Sequence, residues 1–151
     1  MLRNQLSDAL KDALRGNDKR SVATVRLILA ALKDRDICDR GRGNTDGIDD
    51  AEILEMLQSM IKQRRDSIDM YEQGGRCELA EREQEEIEII SRFMPEQLDE
   101  DEIRGAVTDV IGELEASSLK DMGRVMAALK ERFSGRMDFG QASSVVKENL
   151  A

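Results

Sequence analysis

Apolar residues recur along this chain at spacings of three and four, the period of an amphipathic α-helix, and no alternating strand pattern competes with it. Leu2, Leu6, Leu10 and Leu14 mark a first helix over 2–15, stopped by Gly16-Asn17. Val22, Val25, Ile28, Leu29 and Leu32 give a second over 18–38. Residues 39–47, with three glycines and an Asn-Thr-Asp cluster, read as a loop. A third helix has a full start signal: Asp49 as cap, Glu52 three residues on to close a capping box, and Ile48 to staple onto Ile53. It runs to Gln73, where Gly74-Gly75 turns the chain into a fourth helix ending near Phe93.

Pro95, the only proline, breaks the helical run. The start signal then repeats, with Leu98 and Ile103 as staple, Asp99 as cap and Glu102 three residues on. A boundary is therefore expected at 94–98. Helices near 100–115, 119–133 and 139–150 follow, with Ser118 and Asp138 as caps. The expected fold is all-α, with a bundle of about four helices over residues 1–94 and a small three-helix domain over 95–151.

Composition narrows the chemistry. Aromatics are 3% and Trp is absent, so the cores must be aliphatic. No apolar run approaches the roughly 20 residues that span a bilayer, and the N-terminus has no apolar h-region. The expectation is a cytoplasmic protein with no membrane partner. Cys38 and Cys77 lack a Cys-x-x-Cys partner and read as ordinary reduced thiols. Histidine is absent, which removes Ser-His and Cys-His catalysis and His-ligated zinc. No metal and no cofactor are expected. The net charge of −9 is uneven: +3 over residues 1–47, −7 over 48–95 and −5 over 96–151. Such a surface repels RNA overall, so nucleic-acid binding requires local basic stripes.

Several charges fall where an amphipathic helix should be apolar. Arg64 lies within the stripe of Ile53, Leu57, Met60, Ile61, Ile68 and Tyr71, and Glu83 and Glu86 lie on the apolar face of the fourth helix. Antiparallel folding about Gly74-Gly75 brings Arg64 opposite residue 85, predicting a structural ion pair with Glu86 or Glu83. An Arg with two carboxylates also has the makings of a small active site, but no nucleophile stands beside it. A di-iron bundle would need Glu-x-x-His motifs, which a chain without histidine cannot supply.

Two basic stripes are candidates for nucleic-acid contact. In the second helix Lys19, Arg26 and Lys33 recur every seven residues; a solvated face explains such a line equally simply. In the sixth, Met122, Val125, Met126, Leu129 and Phe133 form a core face, with Lys120 and Arg124 opposite and Lys130 flanking. Arg136 sits in the glycine turn and Lys147 on the last helix. Gly123 leaves a bare patch beside Arg124, for a close-packed helix or for another backbone. No aromatic platform accompanies these cations, so recognition would use the shape and backbone of a folded RNA rather than base stacking.

Five segments carry a resemblance to the YqeY family over essentially the whole chain: Arg26-Leu27 with its apolar run, Lys62-Gln63-Arg64-Arg65-Asp66-Ser67-Ile68, Gly75-Arg76, Pro95-Glu96-Gln97-Leu98, and Lys120-Asp121-Met122-Gly123-Arg124-Val125-Met126. Phe93-Met94 before the proline and a longer Gly41–Gly47 loop depart from the family pattern. The last third is similar to the tail domain closing the B subunit of the Asp/Glu-tRNA amidotransferase, which contacts the body of tRNA; similar domains extend some glutaminyl-tRNA synthetases. The resemblance implies a tRNA-binding accessory protein, with contacts at Lys120, Gly123, Arg124, Lys130 and Arg136. Two other roles follow from it: an adaptor for a synthetase or amidotransferase subunit, and the carbon–nitrogen ligase with glutamine as amide donor that family labels give. The chain has no amidase Ser-Ser-Lys centre and no ATP-grasping loop, so the expected role is noncatalytic.

Overall fold

The computed structural model describes residues 1–151 and is entirely helical: seven α-helices, one turn of 3-10 helix and no strand. The chain forms two compact units, Met1–Met94 and Pro95–Ala151.

The first unit holds α1 (Leu2–Arg15), α2 (Lys19–Gly41), α3 (Asp50–Gln73) and α4 (Cys77–Ser91). Helices α3 and α4 form an antiparallel hairpin, with α1 against α2 and α2 against α4. Gly75 adopts φ 72° in the connection, a left-handed conformation that a side chain would disfavour. Leu6, Ile28, Ile53, Met56, Leu57 and Ile90 fill the core.

Leu2, Leu6, Leu10 and Leu14 do not all reach that core. A spacing of four residues drifts about 40° per step around a helix, so the line rotates away as it ascends. Leu2 and Leu6 are buried, Leu10 is half-buried and Leu14 is 48% exposed. Helix α2 runs three residues beyond Cys38, to Gly41, because the amides of Arg42, Gly43 and Asn44 turn back onto the carbonyls of Asp39 and Arg40 and close the end.

The helix starts follow their side chains. Asp18 accepts from the Ser21 amide at 3.1 Å and the Ser21 hydroxyl at 2.6 Å. Asp49 accepts from the Glu52 amide at 2.9 Å, and Asp99 from the Glu102 amide at 2.8 Å. The expected capping boxes are half-formed, since neither Glu52 nor Glu102 returns a bond to its cap residue. At Glu52, burial and the carboxylates of Asp49, Asp39 and Glu55 raise the pKa, so like charge opposes the return.

A latch that no local pattern announces ties three ends of this unit together. Both outer nitrogens of Arg3 donate to the Asp36 carboxylate, at 2.7 and 2.6 Å, and one also donates to the Ile48 carbonyl at 3.0 Å. The Ile48 amide donates back to Asp36 at 3.0 Å. The start of α1, the late turns of α2 and the approach to α3 are thereby joined.

The second unit holds α5 (Glu100–Leu114), the 3-10 turn Leu119–Asp121, α6 (Met122–Arg132) and α7 (Phe139–Leu150). Each of its α-helices packs on the other two around Val107, Val110, Val125, Leu129, Met137 and Val146. Asp138 caps α7 through the amides of Gly140 and Gln141. The segment 95–98 is stitched to the turn after α6: the Leu98 amide donates to the Arg136 carbonyl at 2.8 Å, and the Gln97 side chain donates to the carbonyls of Pro95 and Gly135. Pro95-Glu96-Gln97-Leu98 is thus a structural clasp of this unit.

Candidate nucleic-acid interface

The α6 region does not begin as one helix at 119. Ser118 makes no side-chain cap bond. Asp121 organises the entry instead, accepting from the Ser117 amide at 3.0 Å and from Arg124 at 3.0 Å. Those two bonds, the Ser117 amide foremost, hold its carboxyl below the usual range. Arg124 also donates to the Leu114 carbonyl at the end of α5, at 3.4 Å. Its charge is therefore met locally, although its side chain is 58% exposed.

The other arginines of this unit are similarly engaged. Arg132 pairs with Glu113 at 2.6 Å, and Arg104 bridges Glu100 and Glu148 at 3.4 Å each. Arg136 is half-buried and its Nε donates to the Glu96 carbonyl at 3.3 Å. The lysines differ. Lys120, Lys130 and Lys147 are exposed, and no carboxylate lies within 4.0 Å of any of them.

Lys120, Gly123, Ala127 and Lys130 follow one another at spacings of three, four and three, which places them on a single strip of α6 and its lead-in turn. All four are exposed. A side chain added at Gly123 would meet nothing within 4 Å, so no neighbouring helix requires this glycine. The strip is bare in the middle and cationic at both ends, which stand about 15 Å apart at 1.5 Å per residue. Lys147 lies on α7 and Arg136 in the turn between α6 and α7; no bond joins either to the strip.

The remaining candidates lie in the first unit. Lys19, Arg26 and Lys33 are exposed along α2, none with an ion-pair partner. Arg64 donates through Nε to Glu86 at 2.8 Å and through Nη1 to the Met60 carbonyl at 3.1 Å. Glu83 is half-buried beside them and makes no bond to Arg64. Its carboxyl is pushed up by burial and by Glu86, with Arg64 opposing. No group of three His, Cys, Asp or Glu side chains is arranged to hold a metal ion, and Cys38 and Cys77 are free and exposed.

Asp121 was not singled out from sequence, although an Asp three residues before an Arg on a helix is a recognisable pair. The Arg3–Asp36 latch spans 33 residues and leaves no such trace.

The fold and this surface define an all-helical, two-unit protein whose distinctive site is an exposed cationic strip. A family model described as Yqey-like protein matches residues 3–150. The chain belongs to the YqeY family. Its relatives include proteins named "Altered inheritance of mitochondria protein 41, mitochondrial". That of Lachancea thermotolerans is 30% identical over 115 residues, covering 75% of this chain and 59% of the relative. That of Clavispora lusitaniae is 30% identical over 150 residues, covering 97% and 83%. That of Eremothecium gossypii is 30% identical over 89 residues, covering 59% and 46%. The chain thus spans roughly half the length of the first and third.

These names overturn the cytoplasmic expectation, since the relatives are called mitochondrial. A missing h-region excludes only a secretory signal; mitochondrial transit segments are amphipathic and Arg-rich and have no such region.

Proposed function

We propose that this chain is a noncatalytic accessory protein that holds the phosphate backbone of a folded RNA, of the tRNA class, on the Lys120–Lys130 strip. The observation that carries this reading is the strip itself: two unpartnered lysines flank Gly123 and Ala127, where nothing keeps a bulky backbone at a distance. Ammonium groups held this way bind phosphates without reading bases. Arg124, Arg136 and Lys147 add to the positive field of the unit. The similarity of this unit to the amidotransferase tail domain supports tRNA as the RNA. The mitochondrial names of the relatives support a mitochondrial setting.

The test is a titration of the full chain with tRNA across a salt series, for wild type and the Lys120→Ala, Lys130→Ala double variant. Each neutralised phosphate contributes about five- to eightfold at 0.1 M salt. Removing two lysines should therefore weaken binding about 25- to 60-fold and flatten the slope of log K against log salt by about 1.4–1.8. An unchanged affinity and slope would remove the strip as the contact. Ammonia release from glutamine by the pure protein would replace this reading with the ligase reading.

A further inference from the structure

Helix α2 carries a second exposed face that the RNA reading does not use. Lys19, Arg26 and Lys33 repeat every seven residues, and Ala23, Ala30 and Ile37 repeat every seven between them. Together they alternate by four and three from 19 to 37, the seam spacing of two helices packed along their length. The opposite side of α2 is already buried, through Val25, Ile28 and Leu32. Apolar residues thus occupy both sides of one helix, and only one side has found a partner within the chain.

The free side is exposed. Ile37 is 53% exposed, adjoining Leu27 is 49% exposed, and Ala23 and Ala30 are exposed as well. At its N-terminal end the face opens into a groove of about 270 Å³ lined by Ala13, Leu14, Val22 and Ala23 together with Lys19 and Arg26. That volume is below the roughly 300–1,000 Å³ of sites that enclose small molecules; it has room for a few side chains of a larger partner.

Charge decides what kind of partner. The chain carries 32 carboxylates, yet none lies within 4.0 Å of Lys19, Arg26 or Lys33. Their repeat of about 10.5 Å along the axis is the repeat of carboxylates seven residues apart on another helix. Small Ala23 and Ala30 allow that helix to approach, while Leu27 and Ile37 supply apolar surface that a phosphate backbone would leave wet. We propose that the exposed face of α2 docks an acidic amphipathic helix of another protein, with carboxylates against Lys19, Arg26 and Lys33 and aliphatic anchors over Ala23, Leu27 and Ala30. This surface lies in the first unit, so it stands or falls independently of the Lys120–Lys130 strip.

The probe is a fluorescein-labelled helical peptide of three heptads with Leu at a and d and Glu at e and g, titrated by anisotropy into the full chain. A Lys-for-Glu peptide and a scrambled peptide of the same composition serve as controls. The Glu peptide should bind saturably and the controls should not. Arg26→Glu with Lys33→Glu should weaken it at least about tenfold. Leu27→Ser should weaken it severalfold at every salt concentration, and Lys120→Ala with Lys130→Ala should leave it unchanged. Equal binding of the scrambled peptide would reduce the face to unspecific charge and overturn the proposal. So would one-for-one displacement of the peptide by tRNA, which would make α2 an RNA face. A wild-type dimer in sedimentation that Leu27→Ser dissolves would assign the face to a second copy of this chain instead.

Discussion

Asp36→Ala should destabilise the first unit more than its modest exposure implies. The Asp36 carboxylate accepts three hydrogen bonds, two from Arg3 and one from the Ile48 amide. Ile48 is buried, so deleting the carboxylate leaves an amide without a partner, at about 1–3 kcal/mol. The Arg3 pair adds less, because the Arg3 side chain is 37% exposed and solvent screens it: about 0–1 kcal/mol. The sum is about 1–4 kcal/mol, and 1 kcal/mol moves the melting midpoint of a unit this size by about 4–8 °C. Arg3→Met removes the screened pair and also the donor to the carbonyl of buried Ile48, so its cost should approach that of Asp36→Ala. Asp36→Asn should cost less than either, its amide oxygen keeping one acceptor.

Tyr71 makes the measurement clean. It is the sole tyrosine of a chain without Trp and lies on α3, so its fluorescence in urea reports the first unit alone. Asp36→Ala and Arg3→Met should both cost more than Asp36→Asn. A midpoint for Asp36→Ala within error of wild type, or a larger loss from Asp36→Asn, would refute the reasoning. The hydrogen bond from Arg3, opposed by partial burial, leaves Asp36 below the usual carboxylate range. A depressed folded value means the contribution is present above the unfolded value, near about 3.9, and is lost as pH falls through the folded one. The gap between wild type and Asp36→Asn should therefore narrow below about pH 4.

Two further outcomes follow from the structure. Glu83 is raised by burial and by Glu86; a raised carboxyl disfavours the folded state above its folded value and not below its unfolded one. Glu83→Gln should accordingly raise the urea midpoint at neutral pH, with the gain fading as pH falls through the raised folded value and gone below the unfolded value near about 4.3. Gly123→Ala should stabilise the second unit by somewhat less than the roughly 0.8–1 kcal/mol of a helix interior, since alanine is the better helix former, Gly123 stands in the first turn of α6 and nothing lies within 4 Å of the added methyl. The same variant should weaken tRNA binding in the salt titration; unchanged binding would mean that close approach at Gly123 plays no part.

The sequence was most legible where the physics is local. Helical periodicity, the caps at Asp49, Asp99 and Asp138, and the clash between Arg64 and its apolar stripe all depend on neighbours within a few residues. It was least legible where side chains meet across the fold. Nothing near Asp36 forecasts Arg3, and nothing near Arg20 forecasts its pairing with Glu85 on α4. The candidate site was legible as a set of cations but not as a set of free cations. Arg124 and Arg136 look equivalent to Lys120 and Lys130 in sequence, yet Arg124 is held by Asp121 and Leu114, and Arg136 by Glu96.

That last distinction extends to the whole chain. All nine ion pairs use arginine, and no lysine lies within 4.0 Å of a carboxylate. A planar guanidinium engages carboxylates and carbonyls in fixed geometry, whereas a hydrated ammonium on a flexible stem gains less from doing so. Arginine thus engages nine of the 32 carboxylates, and lysines keep their charge for the solvent. At physiological salt a charge is screened beyond about 8 Å, so a partner at Lys120 or Lys33 meets the local field rather than the net −9. The two proposed surfaces then differ in what lies between their cations. On α6 it is bare backbone and a methyl group, which suits a phosphate chain. On α2 it is the methyls of Ala23 and Ala30 with exposed Leu27 beside them and Ile37 beyond, which suits another helix. A chain with both would join an RNA to a protein without acting chemically on either, and loss of one interaction by substitution should leave the other intact.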